Sequence, residues 1–95
     1  MTKMNIEYKV KDGSYDVSSD LTKFGQYEVL EAYIRGQMGQ GEDKRKPEKR
    51  KKYAIQVRWN PDGDVIGVKS NTGNDGLTCG ILMGLYQKLS AELED

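Results

Sequence analysis

Apolar and polar side chains alternate at the start of the chain. Met4, Ile6, Tyr8 and Val10 fall on one side, and Asn5, Glu7, Lys9 and Lys11 on the other. A period of two with one apolar face predicts a half-buried strand. Asp12-Gly13 follows, and glycine accepts the positive φ of a tight hairpin turn without steric cost. Tyr15 and Val17 continue the alternation in a second strand ending near Asp20. The period then changes. Leu21, Phe24, Tyr27, Leu30, Ile34 and Met38 recur at helical spacing, widened by Val29 and Tyr33. Asp20 or Thr22 is placed to cap this helix, and Gly36, Gly39 and Gly41 to stop it, so it is expected from about Thr22 to about Gln37.

The second half repeats that order. Tyr53, Ile55, Val57 and Trp59 alternate with Ala54, Gln56 and Arg58, the clearest strand in the chain. Asn60–Asp64 (NPDGD) reads as a turn, and Val65–Ser70 as the return strand. Asn74 or Asp75 can cap a last helix marked by Leu77, Ile81, Leu82, Leu85, Leu89 and Leu93. Aligning Asp12-Gly13 with Asp62-Gly63 brings the halves into rough register, which suggests a duplication of architecture more than of residues. The order ββαββα predicts an α+β fold: a four-stranded, mostly antiparallel sheet with two helices packed on one face. The helices should cover Ile6, Tyr8, Val10, Tyr53, Ile55, Val57 and Trp59. Glu7, Lys9, Lys11, Gln56, Arg58 and Lys69 should line the other face.

Between the halves, residues 37–50 are polar, glycine-rich and then basic, with no apolar side chain after Met38. A single domain over residues 1–95 with a mobile basic loop at about 37–50 is the expectation. Net charge is zero, yet Lys44–Lys52 (KRKPEKRKK) carries seven positive charges and one negative, leaving the rest of the chain six charges negative. The overall balance calls for no polyanionic partner, whereas the local run leaves one open. Leu, Ile, Val and Phe number only nineteen, a lean core that leaves room for a partner, including a second copy in a homodimer. One cysteine, Cys79, allows no internal disulfide and points to a reducing compartment. No stretch is long and apolar enough to span a membrane, and Met1 opens onto strand-like sequence. An unprocessed cytoplasmic protein is therefore expected.

Candidate chemistry is sparse. Asp12, Ser14, Asp16, Ser18 and Asp20 alternate as calcium-loop ligands do, but Val17 stands where such a loop needs glycine and Lys23 where it needs glutamate. In a strand, alternate side chains lie roughly 7 Å apart and cannot converge on one ion. The pattern is read as the wet side of a hairpin, and neither a metal site nor a cofactor is expected. Two binding candidates remain. Lys44, Arg45, Lys46, Lys49, Arg50, Lys51 and Lys52 suit phosphate contacts, with Arg58 and Lys69 as helpers. Lys69, Ser70, Thr72 and Gly73 precede a helix N-terminus, where amide groups can hold an anion, although Asp75 opposes one. Tyr8, Tyr15, Tyr53 and Trp59 would stack on bases if exposed, but alternation assigns most of them to the core. Trp59, beside a turn, is singled out as an interface anchor.

No histidine is present, which removes the usual general base and the commonest metal ligand. Cys79 without histidine builds no thiol dyad. The chain is therefore expected to be no enzyme but a small cytoplasmic binding or regulatory module acting through protein contact. One alternative is nucleic-acid or phosphorylated-ligand binding through the loop 44–52. The other is a small inhibitor from a phage or other mobile element, directed against a host defence system.

Overall fold

The computed structural model describes residues 2–37, 43–60, 62 and 65–94. The elements run β1 (Thr2–Lys9), β2 (Ser14–Ser18), α1 (Lys23–Gln37), β3 (Lys52–Trp59), β4 (Val65–Ser70) and α2 (Asp75–Leu93). The strands form one antiparallel sheet of order β2-β1-β3-β4. The two hairpins thus meet along β1 and β3. The expected stops at Gly39 and Gly41 and most of the Asn60–Asp64 turn fall outside the described residues, as does Met38.

Register explains the two faces. Ile6 lies opposite Val17 on one side and Ile55 on the other, and Tyr8 opposite Tyr15 and Tyr53. Met4 faces Val57, which faces Val68. These rows bury against Val29, Leu30 and Tyr33 of α1 and Ile81, Leu82, Leu85 and Leu89 of α2 in one core. Truncating a fully buried member such as Leu82 to Ala should cost about 2–5 kcal/mol. The helices lie side by side: Lys23 pairs with Glu92 at 3.0 Å, and the Tyr27 and Tyr86 rings stack at 4.6 Å with hydroxyls 2.9 Å apart. Tyr15 ties β2 to α2 by donating to the Ile81 carbonyl at 3.1 Å.

Two expectations need correction. Val10 is 47% exposed, because β1 ends at Lys9 and Val10 already belongs to the turn. That turn closes with Gly13 at φ 68°, donating its amide to the Lys9 carbonyl at 2.9 Å. Trp59, chosen as an interface anchor, is only 5% exposed and sits in the core. It continues the inward row of Tyr53, Ile55 and Val57, and that row outweighs its nearness to a turn. Among the described residues no helix is long and apolar enough to cross a membrane.

Candidate functional site

The basic run and the β4–α2 junction, two separate candidates in the sequence, meet in space. Residues 43–51 form an extended strap laid on Asn71–Asp75. The Asp43 carboxylate accepts the Asp75 amide at 2.8 Å, and the Asn74 side-chain amide donates to the carbonyls of Asp43, at 3.0 Å, and Arg45. Further along, the Glu48 amide donates to the Thr72 carbonyl at 2.7 Å, and the Tyr53 hydroxyl to the Glu48 carbonyl at 2.6 Å. Arg50 Nε reaches the Asn71 carbonyl at 3.1 Å, and the Lys51 carbonyl accepts the Val10 amide at 3.0 Å. The strap is thus fastened at both ends and at its middle.

The junction is built to receive it. Gly73 takes φ 72°, and a Cβ there would lie 3.0 Å from Glu48 Cγ, so the strap passes close over it. Thr72 is fully buried; its hydroxyl meets those of Thr78 at 2.6 Å and Ser70 at 3.1 Å. Asn74 caps α2, accepting the Leu77 amide at 3.0 Å. The positive end of the helix dipole therefore already holds a carboxylate of the chain itself. Hydrogen bonds from Arg45, the Asp75 amide and the Arg45 amide keep the Asp43 carboxyl well below the usual carboxylate range. Of the residues proposed there for an anion, Thr72 is committed internally and Gly73 lies under the strap. Lys69, Ser70 and Gly73 do share a depression of about 380 Å³ with Arg45, but Asp75 lines it too, its carboxylate 3.4 Å from Arg45.

The seven basic residues divide by what they hold. Arg45 forks onto Asp43, with its terminal nitrogen 2.7 Å from Oδ2 and Nε 3.0 Å from Oδ1. Arg50 holds Asn71, and Lys52 lies 3.3 Å from Glu7. Lys44, Lys46, Lys49 and Lys51 are exposed, with no ion-pair partner among the described residues.

The face of the sheet opposite the helices is uncovered. It carries Lys3, Asn5, Glu7 and Lys9 from β1 and Ser14, Asp16 and Ser18 from β2. From β3 and β4 come Lys52, Ala54, Gln56, Arg58, Gly67 and Lys69. Directly opposite pairs here are like-charged: Glu7 with Asp16, and Lys9 with Lys52. Like charges opposite one another destabilise a sheet. The diagonals relieve them, since Lys9 bonds Asp16 and Lys52 bonds Glu7, each at 3.3 Å. A third like pair, Lys3 opposite Arg58, has no such diagonal, and Lys69 lies diagonal to Arg58. Among the described residues the buried Arg58 Nε has no hydrogen-bond partner. Arg58 and Lys69 lie on the face expected for them, and Lys3 joins them, set opposite Arg58 by the strand register. A depression of about 600 Å³ occupies the middle of the face, lined among others by Asn5, Ala54, Gln56, Lys69 and Asn71. No aromatic ring belongs to it: Tyr8, Tyr15, Tyr53 and Trp59 all lie on the helix side.

The calcium-like oxygens of Ser14, Asp16 and Ser18 line this same face along β2. Among the described residues no group of three acidic or sulfur ligands converges. Burial pushes the Cys79 thiol up, away from the thiolate that reacts, and raises the Tyr33 hydroxyl to about 12. The Tyr86 hydroxyl is likewise pushed up to about 12, chiefly by its bond to Tyr27. No protein-family model matches the chain, and neither a curated protein nor a solved structure is significantly similar to it.

Proposed function

We propose that this protein is a non-enzymatic binding module that holds an anionic partner on the strap Lys44–Lys52. One observation carries the reading: the strap is pinned by its backbone while Lys44, Lys46, Lys49 and Lys51 stay exposed and without a partner among the described residues. Pinning lowers the ordering cost that a free loop meets on binding. Like charges in a row repel one another, and an anionic partner relieves them. Reaction chemistry has little support, since the chain has no histidine and its thiol and three of its phenols are raised above their usual values. The single cysteine supports a reducing, cytoplasmic setting.

Binding of a mixed-sequence DNA duplex and of a polyglutamate peptide at low salt tests the reading. The protein should bind at least one of them. A variant with Lys44, Lys46, Lys49 and Lys51 each changed to Glu should lose that binding by roughly a hundredfold or more. The side chains of these four have no hydrogen-bond or ion-pair partner among the described residues, so the variant's circular dichroism and melting temperature should stay close to those of the parent. Failure of the parent to bind either polyanion overturns the reading.

A further inference from the structure

We infer that the anionic partner is a nucleic-acid duplex, gripped by its phosphates along a track that leaves the strap at Asn71 and crosses the open sheet face over Lys69, Arg58 and Lys3. The inference rests on the reading of the strap given above. Geometry makes the track continuous. Arg50 binds the Asn71 carbonyl, and Asn71 brackets Ala54 of β3, donating its amide at 3.2 Å and accepting through Oδ1 at 2.9 Å. Asn71 and Lys69 line the same depression, so strap and sheet face share a border. From residue 71 to Lys69 is one two-residue step, roughly 7 Å, and from β4 to β3 is about 5 Å. Arg58 then lies diagonal to Lys69 and directly opposite Lys3.

Three features favour a duplex over an acidic protein or a single strand. A protein interface draws its affinity from buried aromatic or apolar anchors, and neither strap nor sheet face offers one: Trp59 and Tyr53 are buried. A single strand is held by stacking its bases on aromatic rings, and every strand aromatic faces the helices. A duplex needs only cations, and it presents about one charge per 1.7 Å. Among the described residues no acidic side chain compensates the Lys3–Arg58 pair, and a phosphate would do so. Glu7 and Asp16 do not repel it strongly, being paired with Lys52 and Lys9. Because no base is read, binding should be independent of sequence.

The test is the salt dependence of binding to a mixed-sequence DNA duplex, the matching single strand and a polyglutamate peptide. Each phosphate contact contributes about 0.9 to the slope of log affinity against log salt on a duplex. Lys3→Ala with Lys69→Ala, both exposed, should therefore flatten the slope by about 2, and Arg58→Gln by about 1 more. Changing the duplex sequence should change affinity little. An unaltered slope in the Lys3/Lys69 variant removes the track across the sheet and leaves the strap. Equal or tighter binding of polyglutamate, or of the single strand, overturns the duplex while the reading of the strap stands. Binding of none of the three overturns both.

Discussion

The two strand-to-helix junctions do the same job with different means. Between β2 and α1, the hydrogen bonds are local. Ser19 Oγ accepts the Leu21 amide at 3.1 Å, Thr22 Oγ1 accepts the Gly25 amide at 3.1 Å, and Gln26 returns to the Leu21 carbonyl at 3.2 Å. Between β4 and α2, a local cap is supplemented from a distance. Asn74 accepts the Leu77 amide, and Asp43 accepts the Asp75 amide from 32 residues away. The first junction ends a hairpin and starts a helix. The second also fixes the backbone of a strap whose lysines stay in water. A helix end that receives a distant carboxylate thus anchors the strap, whereas the first helix end is capped by hydrogen bonds from its own neighbourhood.

The largest difference should come from the caps. Asn74→Ala removes the bond to Leu77 and the two donations to Asp43 and Arg45. A lost cap alone costs about 0.5–2 kcal/mol, and freeing two strap carbonyls should bring the total to about 2–3 kcal/mol. Thr22→Ala loses one bond and should cost about 1 kcal/mol. Urea denaturation of the two variants measures both; equal losses would show that the strap contributes nothing to the junction.

Next come the glycines. Gly73→Ala must hold an L-residue at φ 72° and push against Glu48, which predicts a loss of about 1–2 kcal/mol. The strap should also become more open to trypsin. Gly25→Ala meets Leu21 Cβ at 3.2 Å without a positive φ, and the gain in helix propensity offsets that crowding. It should change stability by less than about 0.5 kcal/mol. If Gly73→Ala leaves stability and cleavage unchanged, the strap does not press on the junction as drawn.

These residues also show what a sequence conveys. Alternation placed Ile6, Tyr53, Ile55 and Val57 in the core, helical spacing placed α1 within a residue of its Lys23 start, and the cap rules narrowed the α2 cap to Asn74 or Asp75. Each is a signal carried by neighbours along the chain. The strap was not legible because its bonds join polar residues far apart: Asp43 to Asp75, Glu48 to Thr72, Arg50 to Asn71. Polar partners follow no period, and a carboxylate capping a distant helix leaves no mark in its own surroundings. Gly73 was the nearest available signal, since a glycine just before a cap allows close backbone approach. The basic run was visible as charge. Its division into residues that hold the strap and lysines that do not needed the fold, and so did the Lys3–Arg58 pair, which exists only through strand register.

The smallest expected effect separates the junctions by pH. The folded state lowers the Asp43 carboxyl below its ordinary value, mainly through the Arg45 side chain and then through the Asp75 amide. A depressed carboxylate stabilises the fold above its unfolded pKa, and that contribution disappears as pH falls through the folded value. Protonation removes both the charge that Arg45 grips and the negative group at the dipole's positive end. The melting temperature of the parent should therefore exceed that of Asp43→Asn at neutral pH, and the gap should begin to close below about pH 4. Added salt should narrow it too, because Arg45 is exposed to solvent. At the other junction the cap is a hydroxyl that does not titrate, so the gap between parent and Thr22→Ala should keep its size over the same range. Two parallel gaps would mean that the Asp43 charge has no part in holding the strap, and the contrast between the junctions would reduce to the neutral bonds of Asn74.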